Sequence, residues 1–205
     1  MLMERQKGLS IVELMITITL GLLLMAVLTA VFSNTLGVNS RSLKLSQLHE
    51  EATTVMDLMV GELRRTGYRG DAAELVYDPA NASTAFNNTI VISQFSGEEA
   101  NSCVLFSYDE DADGTHDGSS ENMGFRVREN QVQRRQASAG CDGGGWQNLT
   151  SSEMLLVNDL EFTLTEQMVD LVNEQRVTVV MEVAMPSDPD ITRTMTSEVV
   201  IRNAF

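Results

Sequence analysis

The sequence predicts an α+β protein: one long N-terminal α-helix, membrane-spanning in its first half, packed on an antiparallel β-sheet domain. Three observations carry this. Residues 9–32 are an apolar run broken by a single charge, Glu13. Residues 45–63 then place apolar side chains at spacings of three and four, one stripe of an amphipathic helix. Beyond residue 89 come short alternating or continuous apolar runs bounded by Gly, Asn and Asp, the pattern of strands. Strands that follow one long helix pack as an antiparallel sheet against it.

The apolar run comes first. At ~1.5 Å per residue it makes a helix of roughly 36 Å, enough to cross a ~30 Å hydrocarbon core with some tilt. It contains no Pro and one Gly, Gly21, and the hydroxyls of Thr17, Thr19 and Thr29 can bond back to the preceding turn. A carboxylate one turn inside such a helix costs roughly 2.5–3.5 kcal/mol on insertion scales, so Glu13 calls for a partner. Arg5 and Lys7 precede the run, which leaves the N-terminus cytoplasmic and sends the remainder outward. The run is too long for a cleaved secretory signal, and no small-residue cleavage site closes it.

Residues 33–66 continue the helix. The stripe is Leu45, Leu48, Ala52, Val55, Met59 and Leu63, and Lys44, Glu50, Glu51, Asp57, Glu62 and Arg64 occupy the other face. Asn34, Gly37, Asn39 and Ser40 are weak helix formers, so a bend or fray is expected over 34–42. The stop is Thr66-Gly67-Tyr68-Arg69-Gly70, with Gly67 suited to the left-handed cap and Arg64 and Arg65 to the negative helix end. Residues 71–88 read as a polar loop. Strands are expected at 90–95, 103–108, 124–129, 131–136, 154–165, 176–184 and 192–202, with a hairpin turning at Glu129-Asn130.

The stretch Lys7-Gly8-Leu9-Ser10-Ile11-Val12-Glu13-Leu14-Met15 resembles the N-terminus of type IV prepilins, the class shared by type IV pilins and type II secretion pseudopilins. The resemblance rests on a short basic leader ending in Gly, a Glu five residues past it, and the hydrophobic helix behind. It implies a type IV pilin-like fold and a leader of residues 1–8. It also implies cleavage between Gly8 and Leu9 by a prepilin peptidase, with N-methylation of Leu9. Glu13 would pair with the free amine of a neighbouring subunit, since opposite charges in a low-dielectric bundle attract strongly and either alone is penalised. The first residue after the cut is Leu9 where Phe is commoner, and the midway Pro of many major pilins is absent.

The words Glu62-Leu63-Arg64-Arg65-Thr66-Gly67-Tyr68-Arg69-Gly70 are similar to the helix-ending Arg-x-Ala-Gly-Tyr-x-Gly stretch of PilW-type minor pilins, with Thr66 where Ala is usual. The close, Glu198-Val199-Val200-Ile201-Arg202-Asn203, resembles the ends of minor pilins. These likenesses imply a non-enzymatic subunit that primes type IV pilus assembly within a minor-pilin tip complex. Its partners would be other minor pilins, the major pilin and prepilin peptidase. It would sit first in the bacterial inner membrane, with residues 67–205 in the periplasm, and then in the pilus or its tip. A type II secretion minor pseudopilin, or a membrane-tethered Ca²⁺-binding or adhesive domain that never polymerises, are the alternatives.

Charge bounds the partners further. The chain carries 14 Lys and Arg against 29 Asp and Glu, a net charge of −15. Such a domain repels nucleic acid and anionic lipid. No Gly-rich phosphate loop and no nucleophile arrangement stands out. Cys103 and Cys141, an even pair in an oxidising compartment, favour a disulfide over two free thiols. His49 and His116 are too few to suggest zinc.

The chemical motif is Asp109-Glu110-Asp111-Ala112-Asp113-Gly114-Thr115-His116-Asp117. Asp109, Asp111 and Asp113 before Gly114 match the first half of a calcium loop, in which alternating carboxylates turn inward on a hard cation. The second half departs, because the twelfth position is Ser120 and Glu121 comes one residue late. Two readings stay open. One is a solvated acidic hairpin tip. The other is a Ca²⁺ loop using Asp109, Asp111, Asp113, the Thr115 carbonyl and either Asp117 or Glu121.

Overall fold

The computed structural model describes Gly8 and residues 10–78, 80, 84–87, 89–169 and 172–202. The helices are α1 (Ile11–Leu63) and α2 (Glu74–Tyr77). The strands are β1 (Val91–Ser93), β2 (Cys103–Ser107), β3 (Asn122–Arg128), β4 (Gln131–Arg135), β5 (Trp146–Asn148), β6 (Leu156–Val169), β7 (Val172–Met185) and β8 (Asp188–Ile201). The architecture is α+β, and the chain divides between Lys44 and Leu45 into two compact units.

In the first unit α1 exposes its apolar side chains, among them Ile11, Leu14, Leu20, Leu24, Leu28 and Phe32. It is long and apolar enough to cross a membrane. Thr17, Thr19 and Thr29 donate to the carbonyls of Leu14, Met15 and Met25 at 2.9, 3.0 and 2.8 Å. The fray expected over 34–42 is absent, for α1 is helical throughout. Extending a helix already nucleated on both sides adds a hydrogen bond per residue, which outweighs the weak propensity of Gly37 and its neighbours.

In the second unit the buried stripe of α1 is Leu48, Ala52, Met56, Met59 and Leu63. It packs with Val104, Phe106 and Phe125 from one sheet and Leu160, Phe162, Val179 and Met181 from another. Among the described residues there are thus two antiparallel sheets where the strand pattern suggested one. The first runs β1-β2-β3-β4-β5 and the second β6-β7-β8. Alternation names a strand's faces but not its neighbours, so this split was not readable. The hairpin at Glu129 and Asn130 is as expected: their φ values of 52° and 59° are those of a type I′ turn, and Val127 lies opposite Val132. Three elements went unforeseen. Strand β5 is only three residues long, α2 occupies part of the expected loop, and a 3₁₀ turn spans Gly118–Ser120.

Candidate functional site

The last turn of α1 tightens before it ends. Arg65 and Thr66 donate their amides to the carbonyls of Glu62 and Leu63, three residues back, at 3.0 and 3.2 Å. Gly67 has the left-handed φ of 72° that the sequence asked for. Its amide, however, bonds the Ser107 carbonyl at 3.0 Å and not a helix carbonyl. The chain then follows the end of β2. Asp109 donates its amide to the Tyr68 carbonyl at 2.9 Å, and Gly70 donates to Asp109 Oδ2 at 2.8 Å.

The fit here is tight enough to require glycine. A Cβ on Gly70 would lie 2.1 Å from the Ala112 carbonyl oxygen, and one on Gly114 would lie 2.7 Å from Asp71 Cβ. Arg69, the residue before Gly70, is 3% exposed. Its guanidinium grips Asp71 by two bonds, Nε to Oδ1 at 2.6 Å and Nη2 to Oδ2 at 2.7 Å. That grip holds the Asp71 carboxyl below the ordinary range.

Asp109 is wholly buried. Burial alone would raise its pKa, but the amides of Gly70, Gly114, Ala112 and Asp113 outweigh that and pull it down. Oδ2 accepts from Gly70 and from Gly114, the latter at 2.9 Å, whereas Oδ1 is buried and meets no donor in good hydrogen-bond geometry, the Ala112 and Asp113 amides acting on the carboxylate only from nearby. Asp111, Asp113, Thr115 and Asp117 are exposed. The Thr115 amide and hydroxyl both donate to Asp113 Oδ1 at 2.7 Å. Two trios bring ligand-type oxygens within 4.8 Å of one another: Asp109, Asp111 and Glu121, and Asp111, Asp113 and Asp117. The acidic residues are therefore able, as a group, to coordinate a metal ion.

Glu121 is the residue that counting mispositioned. Gly118, at φ 73°, opens a 3₁₀ turn over Gly118–Ser120 that brings Glu121 back to the loop. It is 1% exposed, and its two oxygens accept the amides of Glu110 at 3.0 Å and Asp117 at 2.6 Å. Asp109 and Glu121 are thus buried, whereas Asp111, Asp113 and Asp117 between them are exposed.

The disulfide joins Cys103 and Cys141, with a Cα–Cα distance of 6.2 Å. Beside it Arg126, opposite Cys103 in the β2–β3 register, is 1% exposed. Its guanidinium donates to the carbonyls of Cys141 and Gly143 and, at 2.8 Å, to Gln133 Oε1. It lies 4.9 Å from the Phe95 ring centroid and 4.5 Å from that of Trp146. Nothing in the sequence singled out Arg126, because an Arg in an alternating strand ordinarily faces water.

Of the N-terminal motif, Gly8 is exposed, and Glu13 lies exposed in the first turn of α1. Leu9 and leader residues 1–7 lie outside the described residues.

The family model described as PpdB, prepilin peptidase-dependent protein B, matches residues 41–201. No curated protein and no solved structure matches the chain. The matched span begins past the apolar run and takes in the helix end, the acidic loop and both sheets.

Proposed function

The chain belongs to the prepilin peptidase-dependent protein B family, and from that membership we propose that it is a minor pilin, a non-catalytic subunit that primes type IV pilus assembly. One observation carries the reading. The Gly8-to-Glu13 motif precedes the matched residues 41–201, yet the family's description names the same peptidase that the motif brings to mind. Two stretches that share no residue thus point to one processing enzyme.

On this reading the peptidase cuts between Gly8 and Leu9 and methylates Leu9. The helix over 9–32 holds the protein in the inner membrane until assembly, with the sheet domain in the periplasm. Glu13 then meets the terminal amine of a neighbouring pilin and sets the register between subunits, while the exposed apolar face of α1 supplies contact area. A Ca²⁺ ion in the acidic loop suits that setting, where modules of this kind bind calcium at about 10⁻⁴–10⁻³ M.

The test is the intact mass of membrane-extracted protein from cells with and without prepilin peptidase. A species beginning at methylated Leu9, seen only with the peptidase, supports the reading. A chain still beginning at Met1 in peptidase-positive cells overturns it and leaves the tethered domain as the better account.

A further inference from the structure

We infer that Asp109, Asp111 and Glu121 form a divalent-cation site suited to Ca²⁺, and that the bound ion locks the turn after α1 to the first sheet. The site stands on the geometry of the sheet domain and does not depend on the assembly role.

The acidic cluster alone would not carry this. The independent observation is Asp109 Oδ1, a buried carboxylate oxygen without a hydrogen bond, in a side chain whose other oxygen is taken by two amides. Buried polar atoms almost always find a partner, and one that does not marks a missing ligand or a functional strain. A carboxylate oxygen of this buried residue lies within 4.8 Å of one from Asp111 and one from Glu121, itself buried. Like charges this close repel unless a cation lies among them. No Lys or Arg lies within ion-pair distance of Asp109 or Glu121 among the ion pairs of the described residues; the Arg69 charge reaches Asp109 only at longer range and is itself held by Asp71.

The donor set chooses the ion. It is all oxygen, which selects a hard cation over zinc or copper. His116, the nearby imidazole, accepts the Gly118 amide on Nδ1 at 3.3 Å and rests its ring 5.5 Å from that of Phe86. Asp113 and Asp117 form a second trio with Asp111, so further carboxylates stand on an exposed arc beside the first trio and leave room for additional oxygen or water ligands. That surplus of oxygens favours Ca²⁺, which takes six to eight in adaptable geometry, over Mg²⁺, which demands a near-ideal octahedron.

The lock follows from what Asp109 already holds. Its carboxylate receives the Gly70 amide, its own amide reaches Tyr68, and Gly70 presses on Ala112 between the first two aspartates of the motif and the third. An ion fixing Asp109 and Asp111 therefore also fixes the Tyr68-to-Asp71 turn.

The test is calorimetric titration of the full-length protein in detergent, stripped of metal with chelator, with CaCl₂ and separately MgCl₂. Amide hydrogen exchange is followed in parallel. We expect one Ca²⁺ per chain with Kd of about 10⁻⁴–10⁻³ M, and weaker Mg²⁺ binding. Asp111→Asn, at an exposed side chain, should weaken Ca²⁺ at least tenfold while leaving the chelator-treated melting temperature unchanged. Exchange at Gly70 and Gly114 should slow at least tenfold on adding Ca²⁺. Absence of binding up to about 10 mM CaCl₂, or binding that Asp111→Asn leaves intact, overturns the site. Binding without slower exchange at Gly70 overturns the lock.

Discussion

Gly70 donates its backbone amide to the carboxylate of Asp109 at 2.8 Å, across 39 positions of sequence. This one bond joins the two most distinctive words of the chain, the helix-ending glycine stretch and the acidic loop. Each seemed self-sufficient: one as a helix stop, the other as a hairpin tip or ion loop. In the folded domain they are two sides of one contact.

Replacing Gly70 by Ala should therefore disrupt more than a cap. The new Cβ meets backbone atoms of Ala112 at 2.1–2.8 Å, which cannot swing aside like a side-chain end. Overpacking of this kind costs about 1–3 kcal/mol. Gly61→Ala is the control, since Gly61 sits in α1 with nothing within 4 Å, and Ala there should stabilise by up to ~1 kcal/mol. Thermal unfolding of the two variants in detergent should move in opposite directions.

The Arg69–Asp71 pair sets an acid limit. Asp71 titrates below its ordinary 3.8 because Arg69 hydrogen-bonds its ionised form. The pairing thus contributes fully above the unfolded value and is lost as pH falls through the lower, folded one. Asp71→Asn should cost about 1.5–3 kcal/mol at neutral pH, since it weakens two charge-assisted hydrogen bonds to the buried Arg69 guanidinium. Its stability should also fall less steeply than wild type below about pH 4, as read by unfolding midpoints across pH.

The disulfide closes a loop of 38 positions. Cys141→Ser should lower stability by about 2–5 kcal/mol, and unreduced wild type should weigh two hydrogens less than reduced protein. Denaturant unfolding with and without reductant checks the first, intact mass the second.

Arg126→Lys should not be conservative. A Lys head has neither the planar face that lies against Phe95 and Trp146 nor the fork that reaches three acceptors. A loss of about 2 kcal/mol is expected. Trp146 is the sole tryptophan, so its emission should report the change directly.

Glu13→Ala should leave export and cleavage largely intact and impair filament assembly. Immunoblots for the processed form and microscopy of surface pili separate the two, and normal piliation would count against the register role given to Glu13.

What was legible follows one rule: features decided by neighbours along the chain could be read. The threonines of the apolar run bond back as expected, and of the expected α1 stripe Leu48, Ala52, Met59 and Leu63 are buried and Val55 half-buried, whereas Leu45 is exposed and Met56 takes a buried place instead. The Glu129-Asn130 turn and the left-handed Gly67 are set by local sterics, and the disulfide matches the pairing expected of the two cysteines. In the candidate site, the Asp109, Asp111 and Asp113 pattern was legible because alternate carboxylates before a glycine turn together within a few residues.

The sequence by itself determined the long helix, most of the strands and the acidic motif, because periodicity and turn chemistry act over a few residues. Only the tertiary structure decided the split into two sheets, the burial of Arg126, the return of Glu121 and the meeting of Gly70 with Asp109. Each depends on which distant segments pack together, and that is a property of the filled core: a glycine shows no reason to be glycine until the backbone of Ala112 is pressed against it.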